Sequence, residues 1–220
     1  MAVYRVSMPK PVPPSPHAIR AACDLHATLV PWHRADEALL AIKTGVPGFS
    51  PAATLAKVAA VNALYYTNVF ALVRVAEHFS SVLARSDLAS AGPELVDALA
   101  DVPQGGTEKR KVRRLSLAAK FAHFFIEEDR FPIYDRYAVR MVAKHAGASV
   151  ARLNGNYAVF TTAFNALAVG ADIVTQRRRL DRYLWIQGQY EEWSDQGKAS
   201  SGDLEAAFNR GDWPPRDTER

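Results

Sequence analysis

Asp135 is the residue whose type and position in this sequence most suggest chemistry. It follows Phe131-Pro132-Ile133-Tyr134 and precedes the helical pattern of residues 136–146. An aspartate in that place is an expected N-cap, because its carboxylate accepts backbone N–H groups at the helix start. The same setting favours a fixed, ionised carboxylate, which can stabilise a developing positive charge or orient a water molecule. The sequence alone leaves open whether Asp135 is only a cap or also a catalyst.

A polar stripe runs along the preceding apolar helix. Its members, spaced by three or four residues, are Ser116, Lys120, His123 and Glu127. Such a stripe is either a solvated face or the lining of a polar pocket. A single histidine like His123 is more often a satisfied core residue than a proton shuttle. The six histidines of the chain show no metal-ligand spacing, so we expect no metal site and no cofactor.

Basic residues are concentrated in two places. Lys109, Arg110, Lys111, Arg113 and Arg114 follow Gly105 and Gly106 and precede the striped helix. This run is either an ordinary solvated segment or a phosphate-binding surface. A second basic face is expected at 176–185, where Asp181 offsets part of the charge.

The composition limits the class of protein. The chain has 220 residues, 49% of them hydrophobic, and a net charge of +4, which permits a polyanionic partner without requiring one. Its single cysteine excludes an internal disulfide and a multi-cysteine metal site. No apolar stretch approaches the roughly 20 residues of a membrane span, and the proline-rich start does not read as a signal peptide. We therefore expect a cytoplasmic protein without a membrane partner.

The elements that must position these residues are predicted to be helices. Helical periodicity recurs from His17 onward, and no β-alternation of useful length is present. The sequence thus predicts an all-α fold. Residues 1–16 are predicted to be a Pro-rich extended terminus, 17–196 an all-helical domain, and 197–220 a polar tail in which Trp213-Pro214-Pro215 is able to dock.

Three segments together resemble the helix-hairpin-helix DNA glycosylase superfamily, particularly its 8-oxoguanine glycosylase-like branch. They are "VPQGG", "SLAAKFAHFF" and "FPIYDRYAV", which occur in the family's order within 94–146. The resemblance implies two closely packed helical lobes with a cleft. It also implies an enzyme that flips a damaged or modified base out of double-stranded DNA and excises it. A repair enzyme and a defence enzyme against modified phage DNA would look alike at this level.

The resemblance also implies roles for individual residues. Asp135 would stabilise the sugar cation and direct water, with Lys120 and Ser116 beside it. Tyr66, Thr67 and Asn68, in a segment similar to the family's inserting helix, would enter the duplex gap. The phosphate contacts would come from Gly105, Gly106, Lys111, Arg113, Arg114 and Arg136, and the base pocket would include His123 and Trp185. We expect the protein to act as a monomer.

Two departures from the family pattern shape the expected mechanism. The family's nucleophilic lysine corresponds to Ser116 here, and Lys120 follows one helical turn later, so we expect a monofunctional enzyme. Nine residues separate Gly106 from Ser116, more than the family's hairpin allows. Two alternatives remain: a non-catalytic DNA-binding protein of the same fold, and an all-helical interaction module with no nucleic-acid role.

Overall fold

The structure, a computed structural model, describes residues 14–104, 107–174 and 176–215, with the backbone alone given for 107–109. Within these ranges the chain is mostly helical, as the sequence predicts. The eleven helices are α1 (Pro16–Thr28), α2 (Val30–Gly45), α3 (Pro51–Leu64), α4 (Leu72–Leu83), α5 (Pro93–Ala100), α6 (Leu115–Phe125), α7 (Arg136–Ala146), α8 (Val150–Leu153), α9 (Tyr157–Gly170), α10 (Arg177–Gln196) and α11 (Gly202–Arg210). Residues 1–13, which hold most of the predicted Pro-rich terminus, and Gly105 and Gly106 lie outside the described residues.

Several helices begin where the sequence supplies a cap or a proline. Ser15 and Ser50 each accept an N–H from three residues downstream, ahead of Pro16 and Pro51 at the first helical positions. Proline fits there because the first turn of a helix needs no N–H from it. The long apolar periodicity from Ser50 onward forms two helices, α3 and α4, and the connection between them at 65–71 includes Tyr65–Asn68, where the sequence favours a break.

A β-hairpin joins α5 to α6, and the sequence analysis did not predict it. Strand β1 (Asp101–Gln104) pairs antiparallel with β2 (Thr107–Arg113), with Val102 opposite Val112 and a register shift next to Gln104. The basic run that begins at Lys109 therefore lies largely in a strand, which ends at Arg113. The sequence shows no apolar alternation that would indicate a strand here, because β2 is dominated by charged residues and pairs only with β1.

Helix α6 lies at the centre of the molecule. All of its residues except Ser116 are buried, and it packs against α2, α3 and α5. Lys120 and His123 are therefore interior residues, and the solvated-face interpretation of the polar stripe is wrong at both positions. The apolar length of α6 predicts its helical state from the sequence, whereas the burial of its polar residues could not be predicted.

Helices α7 and α10 pack unusually closely, and this contact sets the geometry of the site. A Cβ on Gly188 of α10 would lie 2.8 Å from Cβ of Tyr137 in α7, so the helices approach across a residue without a side chain. The close approach places the middle of α10 against the first turn of α7, and Asp181, nearer the start of α10, accepts the Ile133 N–H just before the N-cap Asp135.

The segment 197–220 contains more structure than a polar tail. Its helix α11 buries Leu204 and Phe208, and Trp213 is 2% exposed. The Trp213 indole N–H donates to Gln187 Oε1 of α10 at 3.0 Å, so the expected docking of this tryptophan occurs. Among the described helices, none has both the length and the apolar content that a membrane crossing requires.

Candidate functional site

A narrow pocket, with an enclosed volume of about 30 Å³, lies where α1, α2, α3 and α10 meet the start of α7. It combines aromatic walls with carboxylates and guanidinium groups. Its lining residues are His26, Trp32, Tyr65, Ile133, Asp135, Ala138, Arg178, Asp181, Arg182 and Trp185. An aromatic pocket with a few convergent polar groups is the usual form of a small-molecule or base-binding site.

Asp135 reaches the pocket from a rigid entry segment. Its backbone is extended, and its carboxylate accepts the Ala138 N–H at 2.8 Å. The four preceding residues are buried, and the Tyr157 hydroxyl donates to the Pro132 carbonyl at 2.8 Å. Asp135 is therefore an N-cap, as the sequence predicts, and it also faces a cavity, which a purely structural cap does not require.

Lys120 lies behind the pocket rather than in its wall. Its Nζ donates to Ser116 Oγ at 2.7 Å and lies 6.0 Å from the ring centre of Tyr65, which does line the pocket. The Lys120 side chain is buried, and this burial lowers the pKa of its ammonium group, an effect that the nearby Asp135 partly offsets. Lys120, Ser116 and Asp135 are thus brought into one region, although only Asp135 is a lining residue.

A buried carboxylate, Asp36 of α2, organises the opposite wall. Arg178 Nη2 donates to Asp36 Oδ2 at 2.5 Å, and the Tyr65 hydroxyl donates to Asp36 Oδ1. Burial alone would raise the pKa of Asp36, but the Arg178 guanidinium and the Tyr65 hydrogen bond outweigh it and lower the pKa to about 2. The ion pair therefore holds Arg178, which is itself almost fully buried, against the pocket.

His123 does not line the pocket and has a different role from the expected base contact. Its side chain is fully buried, with Nδ1 2.9 Å from the Phe131 carbonyl and Nε2 accepting from Arg178 Nη1 at 3.0 Å. Since Arg178 can only donate, the proton of the neutral imidazole is on Nδ1. Burial, reinforced by the Arg178 charge, lowers the pKa of His123 well below its usual value. His123 is a satisfied core histidine that supports Arg178.

Asp181 is the second carboxyl group of the pocket. Its Oδ1 accepts the Ile133 N–H at 3.1 Å, while its Oδ2 has no hydrogen-bond partner among the described residues. Burial raises the pKa of Asp181 well above its usual value, and Arg178 only partly opposes this. A raised pKa favours the protonated form of a carboxyl group, which is a hydrogen-bond donor as well as an acceptor.

Aromatic side chains form the rest of the pocket wall. Trp32 and Trp185 meet edge to face with ring centres 4.8 Å apart, and Trp32 also contacts Tyr65. Trp185, an expected base-pocket residue, lines the pocket. Flat rings at its wall can stack on a planar ligand.

The connection between α3 and α4 presents aromatic side chains to solvent beside the pocket. Tyr66 is 71% exposed and Phe70 is 95% exposed, and the Trp32 ring lies 6.2 Å from that of Tyr66. Tyr66 and Asn68 have positive φ angles of 49° and 54°, a strained arrangement for residues other than glycine. Asn62 Oδ1 fixes the loop by accepting from Thr67 Oγ1 at 2.7 Å and from the Val69 N–H at 2.8 Å.

The residues that are expected to contact phosphate lie in different environments. Arg113 forms an ion pair with Asp97, which holds the hairpin against α5, and a second at 2.7 Å with Asp101, which links the two strands. Lys111 is exposed on β2, and Arg114 occupies the N-cap position of α6, where its side chain makes no capping hydrogen bond.

Arg136 does not line the pocket that contains Asp135. It pairs with Glu192 of α10 at 3.0 Å and lines a separate surface depression with Tyr137 and Arg140. Its exposed guanidinium is nevertheless directly next to Asp135 in the chain.

Sequence reasoning missed most of the pocket. His26, Trp32, Asp36, Arg178 and Arg182 were not singled out, and Asp181 was interpreted only as a charge offset within 176–185. A signal existed in the spacing of the α10 residues, because side chains at i, i+3, i+4 and i+7 share one helical face. The residues with that spacing are Arg178, Asp181, Arg182 and Trp185.

Comparison with known proteins identifies a family for this chain. The family model HI_0787_N, described as an N-terminal domain, matches residues 19–130, slightly more than half of the chain. No curated protein and no solved structure matches the chain. The matched region contributes His26, Trp32, Tyr65 and Lys120 to the site or its surroundings, whereas Asp135 and α10 lie beyond it. On the strength of this match, the chain belongs to the HI_0787_N family.

Proposed function

We propose that this protein is a DNA glycosylase that binds a flipped, damaged or modified base in the pocket beside Asp135 and hydrolyses its N-glycosidic bond. In this proposal the helices form two lobes around the pocket, and double-stranded DNA lies across its mouth. No cofactor is required, because the reaction needs only a carboxylate, water and a site for the leaving base.

The observation that carries the proposal is the position of Asp135 at an aromatic pocket. Cleavage of an N-glycosidic bond develops positive charge on the deoxyribose, and a carboxylate held beside it lowers the barrier. The N-terminus of α7 stabilises a negative charge on Asp135, and its Ala138 hydrogen bond fixes the carboxylate. Trp32, Tyr65 and Trp185 offer ring faces or edges to a planar base.

Lys120 has an assisting role in this proposal. Its amine is hydrogen-bonded to Ser116 and lies outside the pocket wall, so water directed by Asp135 is the nucleophile. The cation of Lys120 contributes to the field around Asp135. The expected activity is therefore monofunctional.

The exposed loop at 65–71 would engage the duplex from which the base leaves. A flipped base leaves a gap that an apolar or aromatic wedge stabilises. Tyr66, next to Trp32 at the pocket, and Phe70 are exposed aromatic side chains suited to this task. Lys111 and Arg114 would neutralise phosphates on the same duplex.

The test is base release from a panel of duplexes that each contain one modified or damaged base, scored as abasic-site formation. Asp135→Asn keeps an oxygen for the Ala138 N–H but removes the carboxylate charge. We expect it to abolish release and to retain DNA binding. Asp203→Asn, in the exposed first turn of α11, is the matched control and should release base normally.

The outcomes separate the alternatives. Salt-dependent DNA binding without release of any base by the wild type would indicate a non-catalytic DNA-binding protein. A protein that binds no duplex at low salt would be an interaction module, and Asp135 would be structural. Release that persists in Asp135→Asn would contradict the assigned role of the carboxylate.

A further inference from the structure

The pocket beside Asp135 is too small for a base in this conformation. Its enclosed volume is about 30 Å³, which admits one or two water molecules, whereas pockets that bury a small ligand usually measure roughly 300–1,000 Å³. A nucleobase can therefore enter only if part of the wall moves. The side chains of the wall differ in how firmly they are held, and this difference indicates which of them moves.

Most polar side chains of the wall are fixed by strong hydrogen bonds. Tyr65 and Arg178 both donate to the Asp36 carboxylate. The Asp135 carboxylate accepts the Ala138 N–H at 2.8 Å. Hydrogen bonds that involve a charged group are roughly twice as strong as those between neutral groups. Moving any of these side chains would break such a bond, so we expect this part of the wall to stay in place.

The Trp32 side chain is held by ring contacts instead. Its ring centre lies 4.8 Å from that of Trp185 and 6.2 Å from that of Tyr65. Its indole Nε1 is buried and has no hydrogen-bond partner in the described part of the chain. A buried N–H without a partner is unfavourable, and rotation toward solvent would let water accept from it. Movement of Trp32 therefore breaks no side-chain hydrogen bond and permits a new one.

Trp32 also lies at the boundary between the pocket and the surface. It is half-buried, and its ring centre is 6.2 Å from that of Tyr66, which is 71% exposed and is not a lining residue. Trp185, the other tryptophan of the wall, contacts Trp32 and the buried ring of His26, which both line the pocket. Of the two tryptophans, Trp32 is thus the one in contact with the exposed loop.

We propose that Trp32 is the gate of the pocket: its ring closes the space beside Asp135 in the free protein and rotates toward solvent to admit a base. The contact with Tyr66 couples this rotation to DNA. When Tyr66 enters the gap that a flipped base leaves, Trp32 loses one of the ring contacts that hold it. The inference rests on the proposed glycosylase activity and adds to it a device that opens the pocket as a base is extruded.

The closed form is favoured only modestly by these contacts. An aromatic pair favours the arrangement that contains it by roughly two- to twelvefold, and the unpaired indole N–H acts against the closed form. Minor conformations separated by such small differences are populated at roughly 0.1–10%. The free protein should therefore contain a minor open form in exchange with the closed one.

The experiment observes Trp32 by fluorine NMR, with 5-fluorotryptophan at all four tryptophan positions. The Trp32 resonance is the one absent from Trp32→Phe. In the free wild type, saturation transfer should reveal a minor form of Trp32 whose shift changes in heavy water, as that of an exposed indole does. Trp213, which is 2% exposed and donates to Gln187, is the internal control and should show no minor form. This measurement requires neither DNA nor activity.

Tyr66→Ala tests the coupling, because it removes one ring contact of Trp32. We expect the open population to rise roughly two- to twelvefold. Val73→Ala is the matched control, since Val73 is 59% exposed in the first turn of α4 directly after the loop, and it should leave the population unchanged. A duplex with an abasic site, whose gap Tyr66 can enter, should increase the open population of the wild type, and an intact duplex should increase it less.

The failures are distinguishable. A Trp32 resonance without a minor form, in both the wild type and Tyr66→Ala, would overturn the gate and leave the glycosylase proposal standing. An open population that is the same in Tyr66→Ala as in the wild type would overturn the coupling to the loop. Base release is measured separately: an open form that responds to Tyr66→Ala, in a protein that releases no base from any duplex, would support the gate and overturn the glycosylase activity.

Discussion

Lys120 Nζ donates to Ser116 Oγ at 2.7 Å, one helical turn back toward the N-terminus of α6. The lysine side chain thus leans in the direction that helical side chains prefer and brings its amine to the place of the residue four positions earlier. The amine is buried, and burial lowers the pKa of its ammonium group. These features decide what kind of chemistry Lys120 can support.

The first prediction concerns strand cleavage. A lyase forms a Schiff base between a neutral lysine amine and C1′ of the sugar, and the amine must approach that carbon closely. Lys120 is outside the pocket wall and is held by Ser116, so borohydride reduction during turnover should trap no covalent adduct between protein and DNA. The measurement is a shifted band on a denaturing gel.

Substitution of Lys120 completes this test. Lys120→Gln should reduce release without abolishing it, since only the charge near Asp135 is removed. A trapped adduct that is present in the wild type and absent from Lys120→Gln would make Lys120 the nucleophile. Lys198→Ala, at an exposed position after α10, is the control for nonspecific trapping.

The second prediction concerns the basic hairpin. Lys111→Ala combined with Arg114→Ala should weaken binding to all duplex sequences alike and flatten the dependence of affinity on salt. Each lost phosphate contact should reduce the salt slope by roughly one. The measurement is a fluorescence-anisotropy titration at several salt concentrations.

Arg113 belongs to the same run but should behave differently. Its guanidinium is engaged by Asp97 and Asp101, so Arg113→Ala should chiefly lower stability, by about 1 kcal/mol. Lys198→Ala, in an exposed position after α10, is the control for a general change in charge. An unchanged salt slope in the Lys111 and Arg114 double variant would exclude this hairpin as the DNA-facing surface.

The sequence predicted the helical elements well because each carries local information. The Ser15 and Ser50 caps, the Gly147 end of α7 and the apolar length of α6 are set by neighbouring residues. The hairpin at 101–113 was missed for the opposite reason. Its strands gain stability from pairing with each other, and no apolar alternation marks them in the sequence.

The candidate site was predicted only in part because it depends on tertiary packing. Asp135 was identified from its own segment, because the neighbouring residues determine both its N-cap position and the conformation of the chain that leads into the helix. Arg178 and Asp181 read as one more basic stretch with an offsetting acid, because nothing local reveals that Asp36, 142 residues before Arg178, pairs with it. His123 was expected in the pocket, but the Arg178 side chain lies between His123 and the pocket.

The third prediction concerns the exposed loop between α3 and α4. Tyr66→Ala and Phe70→Ala should each lower base flipping and release more than plain DNA binding, because the wedge acts only after the base has left the stack. Both side chains are largely exposed, so thermal stability should stay close to that of the wild type.

The measurement for the loop is the fluorescence of 2-aminopurine placed beside the target base, which rises when stacking is lost. Val169→Ala is the matched control, since Val169 is 65% exposed on α9, another element. Equal losses of binding and release, together with a lowered melting temperature, would instead show that the loop residue supports the fold.

The last prediction concerns stability in mild acid. His26 of α1 is buried next to Trp185, and burial lowers its pKa to about 4, although Asp36 opposes the shift. An unfolded chain binds a proton at this histidine below about pH 6.5, whereas the folded protein does not until about pH 4. The stabilisation is therefore present above pH 6.5 and is lost as the pH falls through this window. Between pH 7 and pH 5 the wild type should lose about 2 kcal/mol of its free energy of unfolding through His26, and the His26→Gln variant should lack this loss.

The quantity to compare is the difference in the free energy of unfolding between variant and wild type, measured by urea unfolding at each pH. Asp181 acts in the opposite sense, because its raised pKa makes the folded state less favourable as the pH rises. Asp181 and His123 contribute to both proteins and cancel in the difference. Leu40→Ala, at an exposed position of α2, changes no titratable group and is the control that should leave the pH dependence unchanged. A His26→Gln variant with the wild-type slope would mean that His26 takes up its proton as readily in the folded protein as in the unfolded chain.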